Sequence, residues 1–304
     1  MTFNLHGLIA AAHTPFDAHA QLNLAAVERQ AAHFLRDEVA AVFIGGSTGE
    51  SHSLTLAERL DLARRWAEVT RGSKLRLVVH VGGNCLADAR TLAAQAQSLG
   101  AAAISALAPS YFKPKTLEAL VACSAEIAGA APALPFYFYD IPILTGVHFS
   151  MPDFLAVAGE RIPTLAGLKF TNPDLMAYQS CLRVEGGRFD IPWGMDECLL
   201  AALALGATGA VGSSYNFAAP LHHRIMAAFA RGDLAAARTD QYRSVQLIEL
   251  LAGVGYMAAA KAVMGLLGVD VGPARLPHSN LTAEQKSRLP ASLEQLGFFD
   301  WGRA

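Results

Sequence analysis

Leu165-Ala166-Gly167-Leu168-Lys169-Phe170 is a short apolar run with one cation near its end, bounded by Pro163 upstream and by Asn172-Pro173 downstream. A run of this length between proline signals reads as a strand buried on both faces, as in a parallel sheet covered by helices. Seven more strand candidates accompany it. They are Gly7 to Ala12, Val39 to Gly45, Leu75 to Val81, Ala102 to Leu107, Leu134 to Tyr139, Phe189 to Trp193 and Ala207 to Gly212, with Leu165 to Lys169 in sixth place. Eight is the number that closes a parallel barrel around its own side chains.

Between these runs, apolar residues recur three and four apart, as in Val27, Ala31, Phe34 and Leu35, or Ala89, Leu92, Ala96 and Leu99. Such stripes are helices with one face on a sheet. Thr55 with Glu58 and Ser150 with Asp153 read as capping boxes, Asn172 before Pro173 as a start, and Gly100 and Gly206 as stops. The alternation predicts an α/β chain, a (β/α)8 TIM barrel, over residues 1–219. From about Pro220 to Gly265 the pattern is wholly helical, with a further helix near Ala283 to Leu296. Residues 220–304 are therefore expected to add the last barrel helix and a C-terminal helical extension to the same structural unit.

The 304 residues are 53% hydrophobic and 16% charged, enough apolar material for a large core and too little charge for disorder. A net charge of −2 without runs of like charge argues against nucleic acid or an anionic membrane as partner and for a small molecule. No stretch reaches about 18 uninterrupted apolar residues and Met1 to Ala10 lacks a leader pattern, so a cytoplasmic location is expected. Cys85, Cys123, Cys181 and Cys198 have no C-x-x-C spacing and fall in helical patterns, which predicts buried free thiols in a reducing compartment.

In a barrel, chemistry belongs at the C-terminal ends of strands. Of the six lysines, only Lys169 closes an apolar strand pattern. Partial desolvation there disfavours the ammonium form and frees an amine to attack a carbonyl carbon, although a lysine that snorkels to solvent or pairs with a carboxylate has the same pattern. Gly45-Gly46-Ser47-Thr48-Gly49-Glu50 follows the second strand, and its tight turn, hydroxyls and N–H groups suit a carboxylate. It lacks G-x-G-x-x-G and P-loop spacing, so no nucleotide cofactor is expected. At the end of the fifth strand, Phe136-Tyr137-Phe138-Tyr139-Asp140-Ile141-Pro142 puts Tyr139 nearest the mouth, a phenol placed to move protons if its face is the interior. Asp196 and Glu197, after Gly194, and Ser213, after the eighth strand, could hydrogen-bond a polyhydroxylated substrate, and Asp196 could equally cap a helix. No H-E-x-x-H or comparable spacing accompanies them, and the adjacent His222 and His223 point to two faces of a helix, so no metal is assigned.

Thr14-Pro-Phe16, the Gly-Ser-Thr-Gly-Glu50 loop, Tyr139-Asp-Ile-Pro142, Gly167-Leu-Lys169 and Gly212-Ser213, in this order, resemble the N-acetylneuraminate lyase and dihydrodipicolinate synthase superfamily of pyruvate-dependent aldolases. The match runs from Gly7 to about Leu296. It implies that Lys169 forms a Schiff base, that Tyr139 shuttles protons, and that Ser47 and Thr48 hold the substrate carboxylate, with no cofactor. Phe136 to Gly146, Gly167 to Thr171 and Gly194 to Leu200 read like the lyase branch, which implies that Thr171, Gly194, Asp196, Glu197 and Ser213 contact a sugar-acid chain. The synthase branch carries an arginine two residues after the proline of its Tyr-x-x-Pro stretch, where this chain has Leu144. The expected reaction is cleavage of N-acetylneuraminate to pyruvate and N-acetylmannosamine, with another 2-keto sugar acid aldolase or dehydratase as the alternative. The resemblance further implies a homotetramer in which Tyr111 reaches a neighbouring subunit's site. Relatives usually have Asn or His after the shuttle tyrosine, and Asp140 is expected to add negative charge beside the site.

Overall fold

The structure, a computed structural model, describes residues 4–301. Seven parallel strands, β1 (Gly7–Ala11), β2 (Ala41–Ile44), β3 (Arg76–His80), β4 (Ala103–Leu107), β5 (Phe136–Asp140), β6 (Leu165–Phe170) and β7 (Gly209–Gly212), follow the order β6-β5-β4-β3-β2-β1-β7. Each is short and mostly apolar, and each lies within its sequence-predicted run or one residue beyond it. The seventh predicted strand, Phe189 to Trp193, is present as a bridged segment and not as a regular strand. It spans the gap between β6 and β7 through bridges Gly167 to Asp190, Phe170 to Trp193 and Trp193 to Ala210. Pro192 sits inside it and has no N–H to give a ladder, so pairing is intermittent while the ring still closes. The result is the TIM barrel that the alternation predicts.

The helices α1 (Ala26–Arg36), α2 (Leu56–Thr70), α3 (Leu86–Ser98), α4 (Leu117–Gly129), the single turn α5 (Pro142–Thr145), α6 (Met151–Arg161), α7 (Leu175–Cys181), α8 (Leu199–Leu205) and α9 (Ala219–Ala230) alternate with the strands. Three more, α10 (Leu234–Ala252), α11 (Tyr256–Leu266) and α12 (Ala283–Gln295), follow in the C-terminal part. Thr55 and Glu58 make both bonds of a capping box, and Ser150 accepts from the Asp153 amide. Asn172 does not cap α7. Asp174 does, accepting from Ala177, while Asn172 braces the Asp174 amide.

Strand side chains alternate with period two. Ile9, Ala11, Phe43, Val78, Leu107, Tyr137, Tyr139 and Val211 form an interior cluster, whereas Leu8, Val42, Val79, Ile104, Phe136, Phe138 and Leu168 join the helices in a second. Phe138 meets Phe154 of α6 with ring centroids 4.5 Å apart, so Phe136 and Phe138 are core filling and the tyrosines of the same strand face inward. At the N-terminal end of the barrel, Tyr137 donates to the Asp190 carboxylate at 2.7 Å and the Leu5 amide donates to the same oxygen at 2.6 Å. A third cluster, including Phe217, Leu221, Leu251, Val263, Leu293 and Trp301, packs the C-terminal helices together.

The thiols correct one expectation. All four are free, but only Cys181 is buried; Cys123 is half-buried, and Cys85 and Cys198 are exposed. The last two precede α3 and α8 as cap residues, and a cap position lies outside the buried stripe of the helix it starts. Among the described residues, no single helix is long and apolar enough to cross a membrane.

Candidate active site

A cavity of about 680 Å³ opens at the C-terminal ends of the strands. Ser47, Thr48, Tyr139, Lys169, Thr171, Gly194, Asp196, Glu197 and Ser213 all line it. At its base, Tyr139 and Lys169 are register partners on β5 and β6, which points both side chains inward as neighbours. Lys169 is 4% exposed, donates from Nζ to Thr171 Oγ1 at 3.0 Å and holds Nζ 3.6 Å from the centroid of the Tyr139 ring. Among the described residues no carboxylate lies within ion-pair distance of it, and its burial sets it apart from a paired surface lysine. The Tyr139 hydroxyl reaches Ser47 Oγ at 3.4 Å, so lysine, phenol and the Gly45–Glu50 loop form one connected group.

That loop is fixed by its surroundings. Gly45 takes φ 64°, a left-handed conformation open to glycine, and its carbonyl accepts from His80 Nδ1 at 2.8 Å. His80 Nε2 accepts the Leu107 amide, which defines the tautomer, and burial holds the imidazole well below its ordinary pKa. His80 is thus a neutral strut, packed edge-on to Tyr139 with centroids 5.8 Å apart. The Thr14 hydroxyl donates to the Gly49 carbonyl at 2.6 Å.

The outer end of the cavity is acidic. Asp196 accepts from both the amide (2.7 Å) and the hydroxyl (2.6 Å) of Ser214, and burial pushes its carboxyl up while these bonds pull it back. Burial also raises Glu197, and Asp196 beside it adds to the rise. Asp196 therefore does cap backbone, that of Ser214, and also borders the cavity. A Cβ on Gly212 would overlap Asp196, and one on Gly194 would overlap Thr171 Oγ1, so both glycines make room for functional side chains.

One placement differs from expectation. Asp140 points away from the cavity, since alternation sends it outward while Tyr139 faces in. It is buried beneath the turn after β6, accepts from Asn172 Nδ2 at 3.1 Å, and is pushed by burial up to about 6. Tyr111 is 79% exposed, rests edge-on against Phe112 and does not line this chain's cavity. Sequence reasoning also missed Tyr256. It stands at the start of α11, in a segment read as an appendage, yet its hydroxyl meets Ser213 Oγ at 2.7 Å and its ring borders the cavity. Gly255 immediately before it takes φ 102°, a sharp turn open to glycine that brings the chain back to the mouth. His222 and His223 do face different partners, Ser244 and the Asp37 carbonyl.

The sequence pattern of the Dihydrodipicolinate synthetase family matches residues 4–296. The chain belongs to that family. Within it, N-acetylneuraminate lyase A of Xenopus laevis is 41% identical over 276 residues, covering 90% of both chains. Among solved structures, N-acetylneuraminate lyase of Proteus mirabilis superposes with a TM-score of 0.95 at 40% identity, covering 97% of this chain and 100% of its own. Dihydrodipicolinate synthase from Cyanidioschyzon merolae, with lysine bound, superposes at 0.89 with 29% identity, covering 98% and 99%. Both branches of the family thus share this barrel, and sequence identity leans to the lyases.

Proposed function

We propose that this chain is a class I aldolase that cleaves N-acetylneuraminate to pyruvate and N-acetylmannosamine, with Lys169 as the Schiff-base residue. The observation that carries the reading is the buried Lys169 amine, set between Thr171 Oγ1 and the Tyr139 ring at the base of a cavity whose far end carries Asp196 and Glu197. The amine attacks the keto carbon of the open-chain sugar acid, and loss of water leaves an iminium that withdraws electrons from the neighbouring bond. Ser47 and Thr48 hold the substrate carboxylate, which orients that carbon toward Lys169. Tyr139 takes the proton of the hydroxyl beyond the breaking bond, and Ser47, 3.4 Å away, links the phenol to the carboxylate. Cleavage releases the aldehyde, and protonation of the enamine followed by hydrolysis frees pyruvate. The iminium formed on the substrate's own keto group is the electron sink, and the chemistry calls on no metal or redox cofactor.

Substrate choice rests on the outer end. Leu144, 63% exposed, stands where the synthase branch has its arginine, so no cation is offered there to a second carboxylate. Asp196, Glu197, Thr171 and Ser213 offer acceptors and hydroxyls to a polyol chain. The enzyme acts in the cytoplasm as a homotetramer, a state supported by the apolar surface that Tyr111, Phe112, Ile143 and Leu144 expose beside the mouth. In that assembly Tyr111 reaches the neighbouring subunit's site. The test supplies N-acetylneuraminate, a deoxy-ketogluconate, and pyruvate with aspartate semialdehyde in parallel, and follows pyruvate. Release from N-acetylneuraminate alone is expected, and turnover of only a shorter keto acid would overturn the lyase reading.

A further inference from the structure

The loop bearing Ser47 and Thr48 ends in a residue for which the reaction has no use. Glu50 lies with φ 53°, left-handed for a residue with a side chain, and so must be held there by its contacts. Its carboxylate is 3% exposed and accepts Lys261 Nζ at 2.9 Å on one oxygen and the Arg275 amide at 2.8 Å on the other. Lys261 comes from α11 and is 2% exposed. Its remaining protons go to the carbonyls of Thr14 at 3.0 Å and Pro273 at 2.7 Å, and its Nζ lies 4.3 Å from the Phe16 ring centroid.

Two facts set this pair apart from a buried ion pair that only holds the fold. Glu50 ends the loop that carries Ser47 and Thr48 and borders the same cavity, with its carboxylate buried behind the loop, so an unbalanced charge there lies close to where a substrate carboxylate would sit. A buried carboxylate left without its cation repels an incoming anion. Lys261 is the cation that cancels it. The second fact is the Thr14 link: Thr14 gives its carbonyl to Lys261 and its hydroxyl to Gly49, so the ammonium grips the loop from both sides.

We propose that Lys261 is a positioning residue for keto-acid binding, which neutralises and clamps Glu50 and thereby makes the Gly45–Glu50 loop receptive to a carboxylate. The inference rests on the reading of that loop as the carboxylate cradle. α11 then serves both ends of the cavity, Lys261 behind the cradle and Tyr256 against Ser213.

The test uses the full chain and measures the pyruvate concentration that half-saturates borohydride trapping. Lys261→Met is expected to raise that concentration by about tenfold or more while the trapping rate at saturation changes by less than about threefold. Adding Glu50→Gln to it removes the unpaired charge and is expected to restore the value to within about threefold of the parent. A stability control, Arg224→Met, breaks the Arg224–Asp240 pair of α9 and α10 and should leave half-saturation unchanged. An unaltered value in Lys261→Met, or a double variant no better than the single, overturns the proposal. Should Lys261→Met not fold, Glu50→Gln decides alone: it leaves the ammonium unbalanced beneath the loop and should lower half-saturation, so an unchanged or higher value overturns the proposal. If neither variant folds, the pair is a folding element and the proposal falls. Absence of trapping in the parent protein defeats the aldolase reading and this inference with it, whereas trapping in the parent with an indifferent Lys261→Met defeats the inference alone.

Discussion

The two ends of the cavity are built differently. Lys169 and Tyr139 at the base stand on adjacent strands in register, with His80 and Phe43 packed behind them. Asp196, Glu197, Ser213 and Tyr256 at the outer end stand on turns and on the first residue of a helix outside the alternating β/α pattern. A bond-making group needs its geometry kept to a fraction of an ångström, which strands supply; a group that sorts substrates can sit on parts free to change. Variants at the base should therefore abolish chemistry with every substrate, and variants at the outer end should change preference while sparing the covalent step.

Lys169→Arg tests the base most severely. A guanidinium stays protonated and cannot attack a carbonyl, so borohydride trapping with pyruvate and turnover should both vanish, read by intact-mass spectrometry. A pyruvate adduct that persists, on Lys261 or elsewhere, would place the nucleophile in the wrong residue. Tyr139→Phe keeps the ring over Lys169 and removes only the hydroxyl. Turnover should fall about 10²- to 10⁴-fold with little change in thermal midpoint, and near-normal turnover would reduce Tyr139 to packing.

Glu197→Ala probes the outer end. Losing an acceptor for a substrate hydroxyl should cost about 1–3 kcal/mol, a fall of roughly 5- to 150-fold in kcat/KM for N-acetylneuraminate, with pyruvate trapping intact. Equal losses in both assays would erase the distinction between the ends. Asp140, behind the base, should affect stability more than chemistry. Burial raises it from 3.8 to about 6, so the fold favours its protonated form. The associated stability is full below pH 4 and is lost as pH rises through about 6, for a total of roughly 3 kcal/mol. Asp140→Asn should accordingly stabilise the protein by about 1–3 kcal/mol at pH 8 and hardly at all at pH 4, by urea unfolding. A gain of equal size at both values would mean that ionisation is not its source.

Legibility in the sequence followed the same division. Seven strands and the base residues could be read because strand alternation and the strand-end rule act over a few neighbouring residues. Lys169 and Tyr139 needed no knowledge of distant contacts. Tyr256 was invisible because only the return of α11 across the mouth, more than 40 residues after Ser213, brings it to the site. Asp140 lies outside the cavity for a local reason: the alternation that turns Tyr139 inward also turns its neighbour outward. The seventh stave has the apolar content of a full strand, and Pro192 within it interrupts the pairing.

That stave has a consequence for motion. Residues 189–193 join their neighbours through the amides of Leu168, Phe170, Asp190, Trp193 and Val211; Pro192 accepts the Phe170 amide on its carbonyl but has no N–H to give in return. A seam with an interrupted ladder opens at lower free energy than an unbroken one. In heavy water, these amides should exchange ahead of those between β4 and β5, which pair without a break from Ile104 to Leu107. The seam leads directly into Gly194, Asp196 and Glu197, so the barrel can breathe beside the acidic outer end of the cavity while the staves carrying Lys169 and Tyr139 keep their mutual register.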